Sequence, residues 1–258
     1  MAKKLKVLAI IQARMGSTRF PAKIMAELCE MPMIEVLLRR LQRAKLLDQI
    51  VVATTTESSD DVLCEWLKNN NIEYFRGSEN DVLERFYHCA RVYQPNVIVR
   101  ITADDPLKDP GIIDQAISDF ISFVDVDYYS NTLRPTFPEG LDIELFTFEA
   151  LQRAHECAVL ASEREHVTPF IWKHPAKFSI KGFEMQPDLS QWRWTVDKPA
   201  DLIFIQSVMG VLNNDIYASY RNVIDVICKH PELSTINSGT VRNEGYLNSL
   251  VSENSSEQ

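Results

Sequence analysis

The sequence predicts an α/β protein in which helices flank a mostly parallel sheet. Short continuous apolar runs, such as residues 5–11 and 97–101, are typical of strands that are buried on both faces of a parallel sheet. These runs alternate with segments of about a dozen residues whose apolar side chains recur at helical spacing, which is the pattern of βαβ units. A chain of 258 residues is long enough to bury such a core.

The first half of the chain repeats strand and helix in order. Residues 5–11 form an apolar run with a turn signal behind it, which predicts a buried strand. The apolar residues Ile34, Leu37, Leu38 and Leu41 then fall on one face of a helix. The same reasoning predicts strands at 5–11, 49–54, 73–75 and 97–101, and helices at 33–47, 59–70, 81–93 and 110–123.

The second half has a different pattern and predicts a mixed-sheet extension of the first half. Strands are predicted at 128–131, 140–148, 178–185 and 193–196, and helices at 148–158, 165–174, 200–212 and 220–229. We therefore predict a single domain over residues 1–251. The last residues, 252–258, are polar and are predicted to be a flexible tail.

Composition and charge exclude several classes of protein. The net charge of −9 argues against a non-specific nucleic-acid binder, because such proteins need a basic face. The apolar run near the N-terminus is too short for an export signal, and no run has the roughly 18 apolar residues of a membrane span. We expect a cytoplasmic protein without membrane or nucleic-acid partners, and its five scattered cysteines are expected to be reduced thiols.

The first predicted strand is followed directly by residues 12–23, which we call the 12–23 loop. Arg14, Arg19 and Lys23 place three cations within this short stretch of an acidic protein, and Gly16 is expected to let the backbone turn towards a ligand. A triphosphate, with about four negative charges, needs such a pocket. The alternative is a surface loop with solvated charges. The position after a buried strand favours phosphate binding.

Two aspartates are predicted to end strands at the same side of the sheet. Asp104 follows the strand at 97–101, and Asp197 follows the strand predicted at 193–196. Open α/β sheets bind ligands at the carboxyl ends of their strands, and carboxylates there suit Mg²⁺. Asp109, which precedes Pro110, is instead interpreted as a helix N-cap. Asp197 taken alone is equally consistent with a cap.

Five segments together resemble one family, and the resemblance runs from about residue 5 to 212. They are IIQARMGSTRFPAK, RITADDPLKDP, EGLDIE, EREHVTPF and RWTVDKPADL. In this order they resemble the spore-coat polysaccharide biosynthesis protein F family, relatives of the CMP-Kdo and acylneuraminate cytidylyltransferases with a GT-A-like fold. The first segment is specific for this superfamily, whereas EGLDIE and EREHVTP point to the spore-coat branch.

The resemblance implies an Mg²⁺-dependent nucleotidyltransferase that transfers CMP from CTP to a small acidic sugar, of the ulosonic or nonulosonic acid type, with release of pyrophosphate. It implies catalytic roles for Arg14, Lys23, Asp104 and Asp197, of which Asp104 and Asp197 would bind the metal. The implied nucleotide-binding residues are Gln12, Ala13, Arg14, Gly16, Ser17, Lys23, Arg76, Ser78, Thr102 and Asp104. The implied acceptor-binding residues are Asp142, Glu144, Arg164, Glu165 and His166.

Several alternatives stay open at this point. Ala22 and Ala103 replace glycines that are common in this family before Lys23 and Asp104. The added methyl groups could change how closely the backbone approaches the phosphates or the base of the nucleotide. The cluster at 164–166 is consistent with acceptor contacts or with ion pairs at the start of a helix. A pyrophosphorylase acting on a sugar phosphate and a non-catalytic nucleotide-binding protein are the rival functions. The proline-rich segment 132–140 interrupts the α/β pattern and, with the resemblance, predicts a homodimer.

Overall fold

The computed structural model describes residues 5–256, and a seven-stranded sheet runs through this part of the chain. The strands are β1 (Val7–Gln12), β2 (Glu27–Leu28), β3 (Met31–Pro32), β4 (Gln49–Thr55), β5 (Tyr74–Gly77), β6 (Val97–Thr102), β7 (Tyr128–Ser130), β8 (Glu144–Thr147) and β9 (Ile180–Gly182). Strands β2 and β3 form a separate antiparallel pair, which the sequence reading missed.

The order of strands in the main sheet is β5-β4-β1-β6-β8-β7-β9. The first four are parallel, β8 is antiparallel to both β6 and β7, and β7 is parallel to β9. The prediction of a mostly parallel sheet with a mixed extension is confirmed. Gln12 at the end of β1 pairs with Thr102 at the end of β6, so the two strands finish at the same edge.

Ten α-helices surround the sheet in residues 5–256. They are α1 (Met33–Leu41), α2 (Asp61–Asn69), α3 (Val82–Tyr93), α4 (Pro110–Ser122), α5 (Phe148–Cys157), α6 (Ala161–His166), α7 (Pro169–Trp172), α8 (Pro199–Val211), α9 (Tyr220–Lys229) and α10 (Glu244–Ser256). Short 3-10 turns lie at Lys23–Met25, Ser58–Asp60 and Pro231–Thr235. In this part of the chain, no helix combines the length and the apolar character needed to cross a bilayer.

The apolar side chains of β1 alternate between two cores. Ala9 and Ile11 belong to the cluster on one face of the sheet, whereas Leu8 and Ile10 belong to the cluster on the other face. All four are fully buried. A strand covered on both faces has no solvated side, which is why its sequence is a continuous apolar run and does not alternate with polar residues.

Several predicted elements differ in the structure. The helix predicted at 33–47 ends at Leu41, and the strand predicted at 178–185 is limited to β9. The strand predicted at 140–148 is confined to β8, and the strand predicted at 193–196 is reduced to one bridge between Glu139 and Arg193. The helix predicted at 165–174 is split into α6 and α7, because Val167 takes a left-handed φ of 71° just before Pro169.

The structure describes residues 252–256 of the flexible tail predicted at 252–258. These residues are the last turn of α10. Glu253 accepts hydrogen bonds from the backbone N–H and the hydroxyl of Ser162, at 2.5 and 2.8 Å, and so ties the helix to α6. A polar sequence gave no sign of this helix because side-chain hydrogen bonds supply part of its contacts. Residues 257–258 lie outside the described residues.

Candidate functional site

A cleft of about 790 Å³ opens at the edge where β1 and β6 end. Gln12 and Thr102, the last residues of these strands, both line it. The 12–23 loop, the turn after β6 and the start of α10 form its walls. The cleft therefore lies where an open α/β sheet presents its loops to a ligand.

The 12–23 loop is held in place by a buried carboxylate. Asp60 accepts a hydrogen bond from the backbone N–H of Met15 at 2.7 Å and others from the hydroxyls of Thr54 and Thr55, at 2.8 and 2.6 Å. Burial acts to raise the pKa of Asp60, but these donors outweigh it and the pKa is lowered. The carboxylate thus stays ionised and fixes the loop against the end of β4.

The backbone strain of this loop lies at Ala22. Its φ of 56° is left-handed, a conformation that costs a residue with a Cβ atom about 1–2 kcal/mol. This explains why glycine suits the position. The expected special role of Gly16 is not found, because its φ is not left-handed and an added Cβ would meet only an ordinary contact, 3.5 Å from Glu79 Oε1.

Lys23 brings the two predicted strand-end aspartates together. Its Nζ donates to Asp104 Oδ2 at 2.8 Å and to Asp197 Oδ1 at 2.7 Å, and only 10% of its side chain is exposed. Burial acts to lower the pKa of Lys23, but the two carboxylates outweigh it and the pKa is raised. Arg19 adds a second cation, 3.0 Å from Asp197. Cations and carboxylates therefore converge on one point of the cleft.

Arg193 fixes the orientation of Asp197 from the opposite side. This buried guanidinium donates to Asp197 Oδ2 at 2.7 Å, to Glu139 Oε2 at 2.5 Å and to Asp201 Oδ1 at 3.1 Å. Burial acts to lower the pKa of Arg193, and its three carboxylate partners raise it overall. Arg193 thus binds one oxygen of the Asp197 carboxylate, and the other oxygen accepts from Lys23 on the side of the cleft.

Gly140 allows this arrangement. Its φ is 106°, and a Cβ atom there would come within 2.8 Å of the backbone at Trp194 and Thr195. The chain that carries Glu139 and Asp142 therefore passes directly against the chain that leads to Asp197. A larger residue would push these two segments apart.

The pair Asp104 and Asp197 fits a magnesium ion. In residues 5–256 no group of three or more potential protein ligands is found. Mg²⁺ does not need one, since it is commonly held by one or two carboxylates, with water and substrate phosphates completing its shell. The two carboxylates accept from the same ammonium group, so their oxygens already point towards one shared position.

The opposite half of the cleft contains Asp142 and Glu144. Glu144 at the start of β8 is paired with Arg100 on β6 and also accepts from the hydroxyls of Tyr128 and Thr168, at 2.6 and 2.5 Å. Burial acts to raise the pKa of Glu144, but Arg100 and the hydroxyls outweigh it and the pKa is lowered. Glu144 is therefore a fixed, charged acceptor of hydrogen bonds.

For Asp142, unlike Glu144, the effect of burial on the pKa is larger than that of the neighbouring cations. Its carboxylate is paired with Arg242, yet burial dominates and raises its pKa to about 6, with Asp105 and Glu139 as further negative neighbours. About a quarter of its side chain, 23%, remains open to the cleft. This carboxylate is therefore the cleft acid whose charge changes near neutral pH.

His166 and Glu165 line the cleft at the end of α6. His166 Nε2 lies 3.0 Å from the hydroxyl of Ser249, and that hydroxyl donates to Glu165 at 2.8 Å. Burial lowers the pKa of His166 to about 4, so the imidazole is neutral at physiological pH. A neutral imidazole can donate or accept a hydrogen bond but cannot act as a cation towards an acid.

The structure brings most of the predicted site residues into this cleft. Those that line it are Gln12, Ala13, Arg14, Ser17, Lys23, Thr102, Asp104, Asp142, Glu144, Glu165, His166 and Asp197. Gly16, Arg76, Ser78 and Arg164 do not line it. Arg76 is bonded to Asp61 and to backbone carbonyls, and the Ser78 hydroxyl accepts from the backbone N–H of Asp81.

Arg164 is engaged in a structural contact. It donates to Asp81 at 2.6 Å and to the backbone carbonyls of His155 and Ala158, at 2.9 and 3.2 Å, which joins α6 to α3 and α5. Of the two interpretations of the 164–166 cluster, the ion-pair one describes Arg164. The N-cap interpretation of Asp109 is confirmed, since its carboxylate accepts from the backbone N–H groups at the start of α4.

Sequence reasoning missed several residues that shape the cleft. Arg193, Arg242 and Glu244 reach it or its carboxylates through long-range contacts, and Arg100 through its cross-strand pairing with Glu144. The alternation of residues 97–101 could have placed Arg100 on a face of the sheet. Arg193 lies only four residues before Asp197, within reach of a local ion pair. No local signal could have found Arg242 and Glu244, because their partners lie far away in the sequence.

The chain matches the sequence profile of one family, described as cytidylyltransferase, over residues 8–219. The solved structure of a cytidylyltransferase from Leptospira borgpetersenii serovar Hardjo-bovis superposes with a TM-score of 0.86 at 34% identity. It covers 93% of this chain and 100% of that one.

Relatives are found in several organisms, two of them matching over almost their whole length. An uncharacterized protein of Methanocaldococcus jannaschii is 37% identical, covering 94% of this chain and 98% of that protein. The spore coat polysaccharide biosynthesis protein SpsF of Bacillus subtilis is 30% identical, covering 89% of this chain and 97% of that protein. The 3-deoxy-manno-octulosonate cytidylyltransferase of Trichlorobacter lovleyi is 36% identical over 117 residues, 45% of this chain and 46% of that protein.

Proposed function

Since the chain belongs to the cytidylyltransferase family, we propose that it transfers CMP from CTP to an acidic sugar of the ulosonic or nonulosonic acid type, with release of pyrophosphate, for the synthesis of a surface polysaccharide or glycan. The relatives that act in spore-coat polysaccharide synthesis or on 3-deoxy-manno-octulosonate support this acceptor class.

The observation that carries the proposal is the bridge made by Lys23 between Asp104 and Asp197. It sits beside Arg14 and Arg19, so a triphosphate would meet three cations at one end of the cleft. Phosphoryl and nucleotidyl transfer need little covalent chemistry from the protein, and most of the rate gain comes from positioning and charge stabilisation. These residues are suited to both tasks.

In the proposed reaction a hydroxyl of the sugar attacks the α-phosphorus of CTP. A bond forms between that oxygen and phosphorus, the bond from phosphorus to the bridging oxygen breaks, and pyrophosphate leaves while the hydroxyl proton passes to solvent. Arg14, Arg19 and Lys23 would hold the phosphates that carry the growing charge. Asp142, Glu144 and Glu165 would accept hydrogen bonds from the sugar hydroxyls.

Asp104 and Asp197 are the residues that would hold Mg²⁺ in this reaction. The ion, when bound, supplies neutralisation of charge on the triphosphate. Arg193 would keep Asp197 turned towards it, since it fixes the far oxygen of that carboxylate. Lys23, which holds both carboxylates in the ligand-free chain, would then turn its ammonium group to the phosphates.

We further propose a cytoplasmic homodimer. CTP is an intracellular substrate, and two-fold dimers are the commonest closed assembly. The segment 132–140, which leads into the cleft, is the candidate contact. Light scattering at micromolar concentration tests this, and an active species with a mass near the 29.6 kDa of one chain would refute it.

Pyrophosphate release tests the proposed activity. The chain would be assayed with CTP, ATP, GTP and UTP, each against sugar acids and sugar 1-phosphates, with and without Mg²⁺. We expect release with CTP and a sugar acid, and only with the metal present. Release confined to sugar phosphates would instead identify a pyrophosphorylase, and nucleotide binding without release would identify a non-catalytic protein.

A further inference from the structure

The C-terminal segment, residues 242–256, forms one wall of the cleft although it lies beyond the part of the chain that matches the family profile, residues 8–219. Asn243, Tyr246 and Asn248 are among the residues it contributes. Glu244 of this segment pairs with Arg19 of the 12–23 loop, and the rest of the segment contacts residues of the acceptor half. The backbone N–H of Asn243 donates to Glu139 at 3.0 Å, and the ring of Tyr246 meets that of His166 edge-on at 5.1 Å.

The segment is anchored at both ends. At its start, Arg242 pairs with Asp142 and also donates to the backbone carbonyl of Phe137 at 2.9 Å. Further along, Glu253 is bonded twice to Ser162 of α6. A wall fixed at two points presents its side chains to the cleft in a defined geometry, which lowers the entropy cost of binding.

Hydrogen-bond chemistry distinguishes this wall from the opposite one. The acceptor half of the cleft is lined by the carboxylates of Glu139, Asp142, Glu144 and Glu165. Ionised carboxylates only accept hydrogen bonds. The oxygens of a sugar, and the carboxylate of a sugar acid above all, also need donors.

Asn243 and Asn248 can supply those donors. Both side chains are exposed, both line the cleft, and neither side-chain amide is bonded to another residue within 5–256. An amide group offers two donors and one acceptor without adding charge. It therefore complements the carboxylate wall and also suits the hydroxyls of a sugar ring.

We propose that the C-terminal segment selects the acceptor, with the amides of Asn243 and Asn248 as specificity-determining contacts to the oxygens of the sugar acid and the ring of Tyr246 as the apolar surface between them. This inference rests on the proposed function, since it names the part of the chain that recognises the sugar. It adds acceptor contacts from outside the region that matches the family to the carboxylates inside it, whereas the residues for nucleotide and metal all lie inside it.

The test replaces Asn248 by alanine and uses Asn254→Ala as the matched control. Both residues are exposed asparagines on α10, so both substitutions change helix propensity alike, but Asn254 does not line the cleft. Steady-state kinetics would be measured with CTP and Mg²⁺, with 3-deoxy-manno-octulosonate and N-acetylneuraminate as acceptors. Asn243→Ala would be measured in the same way beside Asn243→Gly, because the left-handed φ of 56° at this residue strains alanine and glycine separates that strain from the loss of the amide.

For Asn248→Ala we expect the acceptor KM to rise by about threefold to tenfold, as for the loss of one or two hydrogen bonds, with the KM for CTP changed by less than about twofold. Asn254→Ala should match the wild type in both. Equal acceptor KM values in the wild type, Asn243→Ala and Asn248→Ala would overturn the inference alone. A wild-type protein that binds CTP but releases no pyrophosphate with either sugar acid would overturn the proposed function as well.

Discussion

Replacement of Asp142 by asparagine is expected to stabilise the fold near neutral pH while it weakens the proposed acceptor site. Asp142 is a cleft carboxylate, paired with Arg242, whose pKa burial raises from 3.8 to about 6. Asparagine has nearly the same shape and can still accept from the guanidinium, but it carries no charge to desolvate. The substitution therefore removes the cost of ionising this group inside the protein.

The sign and size of the effect follow from the two pKa values. Between pH 3.8 and about 6 the native chain binds a proton that the unfolded chain releases, so the free energy of unfolding falls as pH rises through this window. A pKa change of about two corresponds to roughly 3 kcal/mol. The side chain of Asp142 is 23% exposed, so solvent screens part of this free energy. We expect the free energy of unfolding of Asp142→Asn to exceed that of the wild type by about 2 kcal/mol at pH 7 and to be almost equal to it at pH 4.

Urea unfolding of the wild type and of Asp142→Asn at several pH values from 4 to 7.5 measures this difference. Asp225→Asn, which changes an exposed carboxylate on α9, serves as the control and should shift stability by less than about 0.5 kcal/mol at every pH. A difference between Asp142→Asn and the wild type that does not change with pH would refute the reasoning, as would a variant less stable than the wild type at pH 7.

Three further predictions concern the phosphate end of the cleft. Asp197→Asn should nearly abolish pyrophosphate release and leave the circular dichroism spectrum unchanged; normal turnover at saturating Mg²⁺ would exclude the two-aspartate metal site. Lys23→Ala should weaken CTP binding about ten- to hundredfold, because it deletes a charged hydrogen bond, and calorimetry showing unchanged affinity would refute this. Glu244→Gln should tighten CTP binding about two- to fivefold, because it releases Arg19 from a partly exposed ion pair. The matched change Glu253→Gln should leave the affinity for CTP, measured by calorimetry, unchanged.

Local sequence patterns were enough to predict the sheet and to bring the 12–23 loop and Asp104 to one edge of it. Apolar runs and helical spacing are local patterns, so they predicted β1, β4 and β6 and the helices between them. Parallel strands end at one edge of a sheet, so a loop rich in cations after β1 and an aspartate after β6 could be assigned to one site before the fold was known. Asp197 was also assigned correctly to the cleft, although the strand predicted before it is only a single bridge.

Only the tertiary structure decided which side chains meet. Lys23 and Asp197 are 174 residues apart, and Arg242 reaches Asp142 across 100 residues. Such contacts depend on how the elements pack, which no local pattern encodes. The same holds for the last turn of α10, residues 252–256, whose polar sequence predicts a tail. The position of this helix is fixed by hydrogen bonds to Ser162 and by ring contacts of Tyr246 with His166 and Trp172. These residues come close to the helix only when the rest of the chain has folded.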